Sequence, residues 1–242
     1  MLKNVPKVSV VMPVYNEAYV IEKSIRSYYN ELKGKIDFEM IIAEDGSTDG
    51  TKEILKRLKN ELKIRVYLHD ERKGVLRAFK ESLRYPKYDW ILLVDSDYQF
   101  DPKNFWRVLP YTKDYDIIIG LKIKRNDPYI RIILSKGFNF LLRLFFKVPF
   151  RDMDSGFKFI HKSVFKKVLK DVHILNYFAS ELMIRSYYEG FRIIEVPVTH
   201  WKREGGSSNV FPIKRMPRVI IEELIALYKF KKDLGSKIKY KN

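Results

Sequence analysis

Hydrophobic residues recur in two rhythms along the chain. In the first half, short apolar runs at Val8 to Met12, Glu39 to Ala43, Arg65 to Leu68, Trp90 to Val94 and Asp116 to Ile119 read as strands. The longer patterns between them, Glu17 to Leu32, Asp49 to Glu61, Val75 to Leu83 and Pro102 to Leu109, read as helices. Strands alternating with helices predict an α/β fold: an open, mostly parallel, doubly wound sheet with helices on both faces. The second half changes character. A long amphipathic segment spans Tyr129 to Lys147 and mixed pieces follow to Gly190. One more strand is expected at Arg192 to Val198 and a terminal helix near Arg215 to Lys231. With no internal repeat and no linker, residues 1–212 are expected to form the main domain and 213–242 a basic amphipathic helix and tail.

Composition narrows the classes. Forty-six per cent hydrophobic and 14% aromatic residues are ample for a core, so disorder and collagen-like repetition are poor explanations. The absence of Cys removes disulfide scaffolds, thiolate metal sites and cysteine nucleophiles, and fits a reducing compartment. The longest stretches without an acidic or basic side chain, such as Val8 to Asn16, are far shorter than the roughly 20 residues of a spanning helix. No secretory signal is evident, which places the protein inside the cell. Lys+Arg number 47 against 30 Asp+Glu, a formal charge of +17 that suits an anionic membrane surface or nucleic acid. No nucleic-acid module accompanies it.

Ligands of open α/β sheets bind beyond the carboxyl ends of the strands, and two of those ends are acidic. Trp90 to Val94 runs directly into Asp95-Ser96-Asp97-Tyr98-Gln99. Side chains two apart in extended chain share a face, so Asp95, Asp97 and Gln99 can present oxygens together. Two such carboxylates repel unless a cation lies between them, and Mg²⁺ or Mn²⁺ takes carboxylate and phosphate oxygens jointly; the plain alternative is a solvated turn capped by Asp95. The second acidic end, Glu44-Asp45-Gly46-Ser47-Thr48-Asp49-Gly50, also reads as a turn and helix cap. Its likeness to a calcium loop fails at Lys56, where a bidentate Glu is needed. Neither a Walker loop nor a dinucleotide glycine fingerprint follows any strand.

Together with Pro13-Val14-Tyr15-Asn16-Glu17, these motifs resemble the inverting nucleotide-sugar glycosyltransferases of family 2, which have the GT-A fold, a Rossmann-like open sheet. Further segments are similar to one branch, the polyprenyl-phosphate sugar transferases typified by dolichyl-phosphate mannose synthases. They are Arg131-Ile-Ile-Leu-Ser135-Lys-Gly137-Phe-Asn139, Asp152-Met-Asp-Ser155-Gly156-Phe157, and Glu195-Val-Pro197 leading to Arg203-Glu-Gly-Gly-Ser-Ser208. The resemblance implies transfer of a hexose, mannose ahead of glucose, from GDP-mannose or UDP-glucose to polyprenyl or dolichyl phosphate. It makes Pro13, Tyr15, Glu17, Asp45, Asp95, Lys122 and Arg203 nucleotide-sugar contacts, Asp95, Asp97 and Gln99 the Mg²⁺ or Mn²⁺ site, and Arg131 and Ser135 the grip on the acceptor phosphate. Asp97, Arg131 and Arg203 become the catalytic set. Arg suits phosphate because its planar fork holds two oxygens at once. The chain departs from the family pattern at Lys73-Gly74-Val75-Leu76, which lacks a second glycine, at Lys122, where Arg is common, and at Asn209, where Lys is frequent.

The implied chemistry is an in-line displacement at the anomeric carbon. A phosphate monoester with a second pKa of about 6 is already largely ionised at neutral pH, so a polyprenyl phosphate needs positioning and no base. A saccharide hydroxyl acceptor, the second reading, would need one, with Asp152 and Glu181 the suspects beside their ordinary roles in capping and ion pairing. A nucleic-acid-binding protein is the non-enzyme alternative. On Tyr129 to Lys147, Ile130, Ile133, Leu134, Phe138, Phe140, Leu141, Leu144 and Phe145 are expected on one broad side and Arg131, Ser135, Lys136, Asn139, Arg143 and Lys147 on the other. Met216, Ile220, Leu224, Leu227 and Tyr228 repeat the theme before a Lys-rich end. The lipid-phosphate resemblance turns both into interfacial helices, and the expected location is peripheral, on the cytoplasmic face of a membrane, held by anionic lipid or by a membrane-anchor subunit.

Overall fold

The computed structural model describes residues 5–123, 129–175, 177–205 and 216–240. A seven-stranded sheet runs β1 (Val8–Val14), β2 (Phe38–Glu44), β3 (Arg65–Tyr67), β4 (Trp90–Val94), β5 (Ile117–Lys122), β6 (Phe157–His161) and β7 (Ile193–Val198) in chain order. Its spatial order is β3-β2-β1-β4-β6-β5-β7, parallel except for β6, which lies antiparallel between β4 and β5. The strands at its centre are apolar on both sides because both faces are covered, as parallel sheets require. Leu92 and Val94 face one core and Ile91 and Leu93 the other.

The first core packs under α1 (Ile21–Leu32), α2 (Thr51–Glu61) and α4 (Asn104–Val108), with Ile25, Tyr28, Leu55 and Phe105 against Val10, Met12 and Leu92. The second packs under α3 (Val75–Ser82), α5 (Tyr129–Phe146), α6 (Lys162–Val168), α7 (Phe178–Tyr188) and α8 (Met216–Tyr240). Here α8 is joined to the body: Leu227, Phe230 and Leu234 are buried, and the Phe230 ring sits 4.8 Å from that of Phe146.

Three features depart from the sequence expectation. β6 was hidden among the mixed pieces, because Lys158 interrupts its short apolar run. α7 was hidden too; residues 180–186 are all buried, and a helix buried all round has no polar face to give it a period. The third concerns α5, whose apolar side is split. Leu142 and Phe146 point into the core with Asn139, which was expected on the polar side, while Tyr129, Ile130, Ile133, Phe140 and Leu144 are exposed. On α8, similarly, Leu227 is buried and Ile221, Leu224, Ile225 and Tyr228 are exposed. A helix with apolar residues on two sides shows only one broad stripe on a wheel. No helix among the described residues is long and apolar enough to cross a membrane.

Candidate active site

β1 pairs with β2 on one side and β4 on the other, so the chain order reverses there and leaves a crevice beyond their carboxyl ends. Three loops meet in it. The first two, after β1 and β2, are zipped together: Asn16 N–H donates to Ser47 Oγ (2.9 Å), Thr48 N–H to Asn16 Oδ1 (2.9 Å), and Glu17 N–H to Thr51 Oγ1 (3.0 Å). This use of residues 16–18 explains why α1 begins at Ile21 and not at Glu17. Asn16 takes φ 52°, tolerable for Asn in a tight turn.

The acidic end of β2 is fully employed in holding loops. Asp45 accepts from Lys73 N–H (2.8 Å) and Gly74 N–H (3.1 Å), and Glu44 accepts from Ser47 N–H and, at 3.4 Å, from His69 N–H. Gly46, at φ 75°, must be glycine twice over, since a Cβ would also lie 2.4 Å from the Arg72 backbone nitrogen. The Arg72 guanidinium in turn stacks 4.0 Å above the Tyr15 ring.

The acidic end of β4 is different. Asp95 is exposed at the crevice, yet protein crowds one side of its carboxylate closely: a Cβ on Gly156 would lie 1.7 Å from its Oδ2. That crowding, by limiting hydration, pushes the Asp95 carboxyl above its ordinary value, against the pull of Lys158, Lys122 and Arg203. Asp97 is raised to about 7, by burial first and by the charge of Asp95 second. Its described donors are weak, Gln99 N–H at 3.2 Å and Arg203 Nη1 at 3.6 Å. Tyr98, directly after Asp97, stands at φ 58°, a strained backbone for an aromatic residue, and its ring lies 5.2 Å from Trp201.

Residues 199–205 strap this site. Asn104 holds Thr199 through both backbone groups (2.8 and 2.9 Å), and Trp201 N–H donates to the Gln99 carbonyl (2.6 Å). Arg203 thereby arrives over Asp97, where its Nη2 holds both oxygens of Glu17 (2.8 and 2.7 Å). Lys23–Glu204 (2.6 Å) closes the outer edge. Burial raises Glu17 and Arg203 opposes the rise.

The 151–156 turn forms the far wall. Asp95 N–H donates to the Gly156 carbonyl (2.9 Å), Arg151 N–H and Asp152 N–H to Glu195 Oε1 (2.6 and 2.7 Å), and Met153 N–H to Asn139 Oδ1 on α5 (3.0 Å). Lys122 Nζ lies 3.4 Å from Asp152 Oδ2. Ser180 Oγ donates to Asp154 (2.6 Å), whose carboxyl burial holds high. Beneath them Lys158, opposite Leu93 and Ile119 in the sheet, donates to the Ser155 carbonyl; burial lowers its ammonium to about 8.

Of the residues singled out from the sequence, Asp95, Asp97, Glu17 and Arg203 meet in one cluster, with Lys122 on its rim. Pro13 and Tyr15 lie at the end of β1. Asp45 is inside the turn network, its oxygens taken by the 73–74 backbone. Gln99 turns its amide nitrogen to the Trp201 carbonyl (3.1 Å), so only its oxygen is left for a cation. Ser135 sits on α5 one turn before Asn139, whose Nδ2 donates to the Ser135 carbonyl (3.0 Å). The Arg131 side chain, Gly206 and Asn209 lie outside the described residues. The two suspected bases part company. Glu181 is spent: it accepts from the N–H groups of His173, Ile174 and Leu175 (3.2, 2.7 and 2.8 Å) and from Arg185 Nε and Nη2 (2.9 and 2.8 Å). Asp152 is not, for its Oδ1 is buried without a hydrogen bond.

Sequence pattern does not reveal the placing of Lys158 or the turn-holding roles of Asn139 and Glu195. A lysine between two phenylalanines of a strand was the available signal for the first. The other two depend on contacts 14 and 43 residues or more away in the chain and left no local trace.

A doubly wound sheet with a crowded acid pair at its switch point, strapped by an arginine, places the candidate site where open α/β sheets bind their ligands. The chain belongs to glycosyl transferase family 2, whose sequence model matches residues 9–169. Among curated relatives, glycosyltransferase AglD of Haloferax volcanii is 32% identical over 210 residues, which are 82% of this chain and 34% of that protein. The dolichol-phosphate mannosyltransferase of Pyrococcus furiosus is 28% identical over 244 residues, covering 95% of this chain and 65% of that one. The chain thus spans about a third of the first and just under two thirds of the second. Among solved structures, glucosyl-3-phosphoglycerate synthase of Mycobacterium tuberculosis, in complex with Mn²⁺, UDP and phosphoglyceric acid, superposes with a TM-score of 0.66 at 19% identity, over 92% of this chain and 78% of that one. The fold is GT-A-like, as expected.

Proposed function

We propose that the protein transfers a hexose, mannose ahead of glucose, from a nucleoside-diphosphate sugar to a polyprenyl phosphate at a membrane surface. The observation that carries this reading is the charge imbalance at the end of β4. Among the described residues three carboxylates, Glu17, Asp95 and Asp97, gather around Arg203, a formal excess of two negative charges, while Asp152 faces Lys122 and Asp154 faces Lys158. A divalent cation balances that excess, so the donor set fits Mg²⁺ or Mn²⁺. Asp95 and Asp97, with the Gln99 oxygen, would hold it; when bound it neutralises the departing diphosphate.

The chain's own groups supply the rest. Arg203 exchanges Glu17 for the donor's phosphate oxygens and stabilises the charge that develops on them. Pro13 and Tyr15 flank the nucleoside. Arg131 and Ser135 receive the acceptor phosphate on α5, one to two turns from the Asn139 contact with the 151–156 turn. An already ionised phosphate attacks without a base, in keeping with Glu181 being bound on all sides. The similarity to the Pyrococcus furiosus mannosyltransferase over 95% of the chain supports the lipid acceptor. So do the exposed Ile130, Ile133, Phe140 and Leu144 of α5 and Ile221, Leu224, Ile225 and Tyr228 of α8, which lie beside Lys136, Lys147, Lys229, Lys231 and Lys232. Each cation contributes about 1 kcal/mol near an anionic leaflet.

The test is a transfer assay with labelled GDP-mannose, UDP-glucose and related donors against a short-chain polyprenyl phosphate, with Mg²⁺ or Mn²⁺. Lipid-linked hexose is the expected product; transfer to saccharides alone would replace the acceptor. Flotation of the full chain should show binding to anionic but not neutral vesicles, weakened by salt and by Glu in place of the exposed Lys229, Lys231 and Lys232. Absence of binding under every condition would favour a protein anchor.

A further inference from the structure

Two carboxylates, both buried, differ in a way that assigns one of them to a ligand. Glu181 accepts five hydrogen bonds. Asp152, only 5% exposed, has its Oδ2 served by two long contacts, Lys122 Nζ at 3.4 Å and Lys122 N–H at 3.5 Å, and its Oδ1 by none. An orphaned carboxylate oxygen in a protein interior is destabilising, yet the turn that bears it is held firmly. Glu195 takes the Arg151 and Asp152 N–H groups and Asn139 takes that of Met153, so the backbone has no freedom to find Oδ1 a partner. Rotation about χ2, which is soft for aspartate, can turn the oxygen to an incoming molecule.

We propose that Asp152 is a specificity-determining residue that accepts a hydrogen bond from a hydroxyl of the transferred sugar. This rests on the nucleotide-sugar reading above and adds a contact to it. A buried carboxylate oxygen needs a hydrogen-bond donor; the Lys122 ammonium already stands beside Asp152, so an uncharged donor fits better than a second cation, and a phosphate offers no donor. The turn is fastened to β4 through Asp95 N–H and the Gly156 carbonyl, placing Asp152 on the metal side of the crevice and away from the β1–β2 ends that flank the nucleoside. Sugar hydroxyls are the uncharged donors of the proposed substrate on that side.

The experiment is isothermal titration with Mn²⁺ present, comparing GDP and UDP with GDP-mannose and UDP-glucose for the wild type, Asp152→Ala and the isosteric Asp152→Asn. Both variants should bind the nucleoside diphosphates within about twofold of wild type. Asp152→Ala should bind the preferred nucleotide sugar roughly 10- to 100-fold more weakly, the range of a lost hydrogen bond to a charged group, with Asp152→Asn between. One monodeoxy analogue of that sugar donor should lose the same factor with the wild type and nothing further with Asp152→Ala. Equal loss for diphosphate and nucleotide sugar in both variants would overturn the proposal in favour of a structural role. Unchanged nucleotide-sugar affinity with lost turnover would overturn it in favour of a base acting on a hydroxyl acceptor. Failure of the wild type to bind any nucleotide would be a failure of the functional reading itself, and the proposal would fall with it.

Discussion

The ends of β2 and β4 each carry two acidic residues in crowded surroundings, and they use them in opposite ways. At β2, Glu44 and Asp45 accept backbone N–H groups from Ser47, His69, Lys73 and Gly74, and the loops around them close into a fixed turn. At β4, Asp95 and Asp97 repel one another, receive few donors and sit with raised pKa values. The first pair is structural support. The second is the pair proposed to hold a cation, kept together by β4, the 151–156 turn and the Arg203 strap. Acidity at a strand end therefore says little about function; the number of hydrogen bonds already made says much more.

Substitutions should separate the two ends sharply. The largest effect is expected for Asp95→Ala or Asp97→Ala, which should abolish metal-dependent donor binding, measured by titration, while the melting temperature holds or rises because repulsion is relieved. Wild-type donor affinity in both variants would break the contrast. Arg203→Ala should follow, with kcat lowered by about 100-fold, the usual cost of one lost donor to developing charge. Arg203→Lys should restore only part of it, since the fork is lost. Asp45→Ala should act on stability instead, lowering it by about 1–3 kcal/mol in chemical denaturation through the two unsatisfied N–H groups. A further effect concerns pH. With its native pKa raised from 3.8 to about 7, Asp97 contributes stability that is full below about pH 4 and lost as pH climbs through 7. Ligand-free Asp97→Asn should thus melt higher than wild type at pH 8, and the advantage should disappear toward pH 4.

Much of this contrast was legible in the sequence. Five strands and the placing of both acidic ends followed from period and spacing, because parallel strands put their carboxyl ends on one edge, whereas Glu17 entered only through the family resemblance. Arg203 could be connected with Glu17 only through resemblance, since the two are 186 residues apart. What stayed hidden had physical causes. α7 is buried all round and shows no amphipathic rhythm; β6 carries Lys158 where an apolar residue would mark it; and α5 divides its apolar residues between the core and the surface. Asp152 and Glu181 could not be told apart from their identities, because what distinguishes them is a count of partners that only the folded chain supplies.

The most direct test of the claim that the β4 carboxylates await a cation and a diphosphate is a thermal melt at pH 8 of wild type and Asp97→Asn, with Mn²⁺, with GDP or UDP, and with metal and nucleotide together. The account predicts that wild type gains appreciably only when both are present, while Asp97→Asn begins higher and gains nothing. An equal ligand-induced rise in Asp97→Asn would contradict it.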